Sequence, residues 1–195
     1  MSTSDTNTVP GKRERHLPGE EGVWVFIGGD LVVFALFFVA FAIARMNDPA
    51  LFETSQATLD RGLGLLNTLI LLTSSWFVAR AVAKVRAGQL DARKYIFGAI
   101  ALGLGFVVVK AVEYSAKISA GLTLNTNEFF IYYFMFTGIH LLHVLIGLGV
   151  LIFTASQFEQ SGKMKGGIAL IEGSGAFWHL VDLLWIVLFA LFYLI

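Results

Sequence analysis

Long apolar stretches alternate with short polar connections along the whole chain. Five such stretches stand out, at about 22–45, 62–85, 95–116, 129–158 and 173–195. Each reaches the roughly 20 apolar residues that a helix needs to cross a bilayer. Backbone N–H and C=O groups have no water to bond in hydrocarbon, so each stretch is expected to be a helix. The fourth is longer than a span requires and is expected to tilt or emerge. The pattern therefore predicts an all-α membrane protein: a polar tail over 1–21, then a transmembrane domain of five helices over 22–195. The tail, MSTSDTNTVPGKRERHLPGEE, is too long and too acidic for a signal n-region, so the first stretch reads as a retained helix.

Lysines and arginines give the orientation. Lys12, Arg13 and Arg15 precede the first span. Lys84, Arg86, Arg93 and Lys94 flank the connection between the second and third spans, and Lys163 and Lys165 lie between the fourth and fifth. These segments fall on one side. The other side carries Arg45, Arg61 and Lys117, diluted by Asp48, Glu53, Asp60 and Glu128. The positive-inside rule then puts the amino terminus in the cytoplasm and the carboxyl terminus outside.

Composition narrows the function classes. Hydrophobic residues make up 56% and charged residues 14%, in keeping with a chain that lies mostly in lipid. The formal net charge of +0 argues against nucleic acid as a partner. With no cysteine, disulfides, thiolate metal sites, iron–sulfur clusters and covalent haem attachment are excluded.

The candidate chemistry lies in the few polar residues inside the spans. These are Asp30 on the first; Lys110 and Glu113 on the third; His140 and His143 on the fourth; His179 and Asp182 on the fifth. At about 1.5 Å rise per residue, Asp30 lies roughly 12 Å in from the cytoplasmic edge, His179 roughly 9 Å and Asp182 roughly 14 Å. His140 and His143 descend from outside to a similar depth, so these five groups could share one inner layer. Lys110, Glu113 and Asn67 fall in the outer half, where Lys110 and Glu113, at i and i+3, could neutralise each other. Glycines and small polar residues, such as Gly64, Ser74, Ser75, Gly98 and Gly103, read as places of close helix approach.

Several accounts of the inner layer are open. The groups could pair across helices and fix the bundle's register, as buried charges usually do. They could meet a headgroup or a partner subunit. They could relay protons, as Asp and His chains do in pumps. They could hold a metal or haem. Against the last, His140 and His143 share one face and cannot sandwich an iron, and HLLH lacks the Glu of the HExxH zinc motif. Serine catalysis at Ser174 is rejected, because the GxSxG pattern is missing.

The residues also carry a family resemblance. TGIHLLHVLIG at Thr137–Gly147 resembles the signature of subunit III of the haem–copper oxidases (cytochrome c and quinol oxidases). AFWHLVDLLWIVLFALFYLI at Ala176–Ile195 resembles its closing helix, with a WHFVD-type core. GLLNTLILLTSS, KAVEYSAKI and VWVFIGGDLVVFALFF are similar to the family's second-span, EY and membrane-carboxylate stretches. The motifs follow the family's order and cover nearly all of the chain after the tail. Five spans match the short bacterial form. Asp30 stands where the family commonly has Glu, and PGEEGVWVFIGGD, from Pro18 to Asp30, resembles the NorE branch associated with nitric oxide reductase.

The resemblance implies an accessory subunit of a respiratory haem–copper oxidase or nitric oxide reductase complex, in the bacterial inner membrane. Such a subunit has no catalytic, cofactor or metal residues of its own. Haem, with copper or non-haem iron, would sit in the catalytic subunit I beside it. Phospholipid would lie in a cleft between spans 1–2 and spans 3–5. Asp30 would then be the carboxylate near that cleft and Glu113 the third-span acid. His140, His143, His179 and Asp182 would be polar ties, and Asn67 a further structural candidate. Two readings of other classes stay open from the residues alone. One is an independent membrane haem or metal protein using His140, His143 and His179. The other is a small proton-coupled transporter centred on Asp30.

Overall fold

The computed structural model describes residues 21–159 and 161–195. The polar tail, with Lys12, Arg13, Arg15 and the start of the Pro18–Asp30 motif, lies outside the described residues. The long helices are α1 (Glu21–Asn47), α3 (Arg61–Arg86), α4 (Ala92–Ser119), α5 (Glu128–Ser156) and α6 (Gly167–Phe189), and α6 runs on into a π-helical turn, Ala190–Leu194. These are five helices long and apolar enough to cross a membrane, as the apolar pattern predicts. α1, α3 and α4 run one to three residues past the apolar stretches at each end, α6 starts six residues earlier, at Gly167, and α5 stops at Ser156, two residues short of the expected end. A short helix, α2 (Pro49–Gln56), was not anticipated. Asp48 caps it by accepting from the Leu51 N–H at 3.1 Å, and Pro49 supplies a preset first turn. Its Phe52 is fully buried against Phe41 and Phe129.

The connections sort the two ends of the bundle. Gly162, at φ +84, lies against the Leu90 carbonyl, so the α3–α4 and α5–α6 connections meet at one end. At the other end Asn127 donates to Ser55 at 2.8 Å, Lys117 donates to the Thr58 carbonyl and Arg45 donates to the Ile195 carbonyl. At the first end the Lys84 ammonium, 2.9 Å from Asp91, holds that carboxyl below its ordinary range. The pair is at the surface, where such bridges contribute little.

Within the bundle α6 is central and α1 peripheral: 61% of the apolar window of α6 is buried, against 11% for α1. Lipid tails are as apolar as leucine, so close packing must do the work of holding helices together. The glycines supply it. A Cβ on Gly103 would come within 2.9 Å of the Trp178 ring, and one on Gly147 within 2.7 Å. Trp178 therefore fills a slot formed by glycines of α4 and α5. Ser74 clips α3 to α4 through the Ala99 carbonyl at 2.8 Å and accepts from the Trp178 indole at 3.1 Å. The Trp185 indole donates to Thr68 at 3.0 Å.

This packing differs from the division between spans 1–2 and spans 3–5. The second span, α3, is locked to α4 and α6 by these small-residue contacts and hydrogen bonds. Only α1 stands apart. The open grooves flank α1, one facing α3 and α6 and the other facing α5 and α6.

Candidate functional site

The inner polar groups divide into separate ties. Asp30 of α1 meets His143 of α5 at 3.2 Å, with both side chains only slightly exposed. His143 Nδ1–H donates to the Ile139 carbonyl at 2.8 Å, which turns Nε2 toward Asp30. The contact is one of proximity: Asp30 Oδ2, 3.2 Å from Nε2, has no hydrogen-bond partner among the described residues. Phe34 packs edge-on against this imidazole, with ring centroids 5.7 Å apart. Because helix pairs of this kind in lipid couple by about 0.6 kcal/mol, at most about 1.7, a double-mutant cycle of Asp30→Asn with His143→Leu should return a coupling in that range. Unfolding of the four proteins in detergent measures it, and a coupling of zero would mean that α1 is held by the phenylalanines alone.

His140 is fully buried one turn away and points elsewhere. Its Nε2 faces the Val181 carbonyl of α6 at 3.1 Å, and its ring lies 5.2 Å from Trp185. Its Nδ1 meets no partner among the described residues. His179 Nδ1 pairs with the Ser75 hydroxyl of α3 at 2.5 Å. Ser75 also faces Asp182, one turn along α6. Asp182 is 8% exposed, with one carboxyl oxygen buried and unpartnered among the described residues. So the fifth span does find a polar partner on another helix, but the partner is Ser75 rather than Asp30 or the α5 histidines. The supposed single layer is three contacts aimed in three directions. Among the described residues no group of three or more His, Asp or Glu side chains is placed to hold a metal.

The most connected cluster lies toward the end of the bundle that carries α2 and Tyr193. Lys110 and Glu113 meet at 3.0 Å with both side chains buried. Lys110 also donates to Tyr133 at 3.1 Å and Tyr193 at 3.0 Å, while both phenols donate to Glu113. The ammonium lies 5.0 Å from the Trp185 ring. Sequence reading paired Lys110 with Glu113 but missed both tyrosines, which looked like ordinary apolar-run aromatics. Asn67 is fully buried beside no polar partner among the described residues.

Two grooves complete the picture. One, of about 540 Å³, is lined by Trp24, Ile27, Leu31, Ala79, His179 and Leu183 among others, with Arg86 and Glu172 bonded at 2.7 Å at its mouth. The second, of about 560 Å³, runs past Val23, Phe26, Val150 and Phe177.

Comparison with known proteins decides the family. The model for cytochrome c oxidase subunit III matches residues 18–195. This chain belongs to the cytochrome c oxidase subunit III family. Quinol oxidase subunit 3 of Bacillus subtilis is 30% identical over 178 residues, covering 89% of this chain and 85% of the relative. Cytochrome c oxidase subunit 3 of Synechocystis sp. is 30% identical over 201 residues, covering 99% and 85%. Heme-copper oxidase subunit I+III of Aeropyrum pernix is 29% identical over 181 residues; the match covers 89% of this chain but only 22% of that longer protein. As a subunit III, the chain is a multi-pass inner-membrane protein and an accessory subunit of haem–copper oxidases, a family that associates with subunit I and carries no cofactor itself.

Proposed function

We propose that this subunit III stabilises a catalytic subunit bearing haem, with copper or non-haem iron, and holds phospholipid beside α1. The carrying observation is the apolar groove between α1, α5 and α6, past Val23, Phe26, Val150 and Phe177, which opens to where lipid tails would lie. Asp30 and His143 would set the width of this groove by fixing α1 to α5. The other polar groups, His140, His179, Asp182, Glu113 and Asn67, would serve the scaffold. The basic connections gathered at one end support a cytoplasmic placement of that end, with the carboxyl terminus outside. The motif around Asp30 supports the NorE branch and hence a nitric oxide reductase as the assembly served; oxygen reduction is the other member of the same reading.

Affinity purification from native membranes tests this. The complex should show haem absorption, oxygen or nitric oxide reduction and bound phospholipid, while the isolated chain should show no Soret band. Stoichiometric haem on the isolated chain would favour a cytochrome instead. Proton-coupled uptake by vesicles holding the chain alone, lost in Asp30→Asn, would favour a transporter.

A further inference from the structure

His179 is an exposed imidazole in a place where exposure is costly. It lies seven residues beyond Glu172 on α6, about 10 Å deeper along the helix axis at the standard rise. Ser75 holds its Nδ1, so the other edge of the ring borders the groove between α1, α3 and α6. The groove walls there are Ile27, Leu31, Leu180 and Leu183, which offer that edge no hydrogen bond. Ionisable side chains at such depth ordinarily face a partner or a polar cavity. Something that enters this groove must carry an oxygen to that depth.

A phospholipid does not. Its headgroup stays at the interface, and its acyl chains have nothing to offer an imidazole. The mouth does not recruit a charged headgroup either, because Arg86 and Glu172 already neutralise each other at 2.7 Å. The second groove is the contrast. Its serine, Ser174, is satisfied by the Leu170 carbonyl at 2.7 Å and by Thr154 at 2.8 Å, so that groove suits acyl chain alone. In the His179 groove the α3 and α6 walls carry the small residues Ala79, Ala83, Gly175 and Ala176, and Trp24 lines the α1 side. Small side chains on two walls and an aromatic on the third fit a flat, neutral ring. We propose that this groove binds the ring of a membrane quinone or quinol, with His179 as the hydrogen-bonding partner of a ring oxygen. If the Ser75 hydroxyl donates to Nδ1, Nε2 carries the proton and donates to a quinone carbonyl; if Nδ1–H donates to Ser75, Nε2 is bare and accepts from a quinol hydroxyl. No electron transfer is part of the proposal. It shares with the preceding section only the exposure of the groove to the bilayer.

The full-length chain in phosphatidylcholine nanodiscs, titrated with a decyl-tailed benzoquinone, provides the test. Quinones quench indole emission at short range, and Trp24 lines the groove. Quenching should saturate, and Trp24→Phe should remove most of it. His179→Phe should weaken the half-saturating concentration at least tenfold, and His179→Gln, which keeps an N–H donor, should recover part of the loss. Ala79→Leu, at an exposed groove position, should weaken binding similarly without touching His179. Quenching that rises linearly without saturating reports partitioning into lipid and overturns the proposal. Equal saturation in His179→Phe overturns it too. If His179→Phe instead lowers the phospholipid retained per chain and leaves quinone quenching unchanged, the groove is a lipid site and the quinone reading fails. Loss of the haem-containing partner from the native complex, with quinone binding intact, would count against the accessory-subunit reading alone.

Discussion

Lys110→Met should destabilise the bundle by about 3–5 kcal/mol, the range for removing one member of a buried ion pair. The size follows from what is left behind. Glu113 would keep its two phenolic donors, Tyr133 and Tyr193, but lose the only cation bonded to it among the described residues. A lone carboxylate between α4, α5 and the carboxyl-terminal turn is then an uncompensated charge in a dry site. The double variant Lys110→Met/Glu113→Gln removes that charge and leaves an amide oxygen for the phenols. It should therefore be more stable than Lys110→Met alone, despite having one more substitution. Denaturant or thermal unfolding of the purified chain in detergent separates the two. If both variants unfold at the same midpoint, the cluster acts through packing around Tyr193 and not through its charge.

How far the sequence revealed this molecule depends on which physical quantity is asked for. Span number and order follow from hydropathy, because a bilayer leaves the backbone no choice but helix. Depth follows too, from the rise per residue, which sets Asp30 and His143 at one level. Rotation about the helix axis does not follow. His140 and His143 lie three residues apart on one helix, yet one faces Val181 of α6 and the other Asp30 of α1. Depth alone could not separate them.

Small polar residues were the second blind spot. Ser74 and Ser75 read as part of a stripe for close approach, which they are, but together with Thr68, which the sequence did not single out, they are also the hydrogen-bond partners of Trp178, His179 and Trp185. A usable signal existed. Buried indoles and imidazoles need partners, and the serines and threonines of α3 were there to supply them. The tyrosines were hidden for a related reason: in an apolar run their hydroxyls count for little on a hydropathy scale. Helix α2 escaped because eight residues make no apolar run, although Asp48 before Pro49 is a start signal.

Trp178→Ala should have the second large effect, and its partner glycines should reveal why. The indole is fully buried in a slot between Gly103 of α4 and Gly147 of α5, and it bonds Ser74 of α3. Truncation leaves a cavity and an unpaired contact at the point where four helices meet. In soluble cores such a change costs about 3–5 kcal/mol. In lipid the water-transfer part is missing and the loss is mainly dispersion, so about 2–4 kcal/mol is expected here. Gly147→Leu in the otherwise unchanged chain should also destabilise, because its Cβ would come within 2.7 Å of the indole. In the Trp178→Ala background the same leucine enters an empty slot and should restore part of the stability. The sign of the Gly147→Leu effect should therefore reverse between the two backgrounds. Four unfolding midpoints in one detergent decide it. A Gly147→Leu change that is equally harmful in both would mean that the glycine is needed for backbone approach between α5 and α6, with the indole merely adjacent. A reversal would establish that one side chain of α6, seated between two glycines, sets the spacing of the central helices against which α1 and both grooves are built.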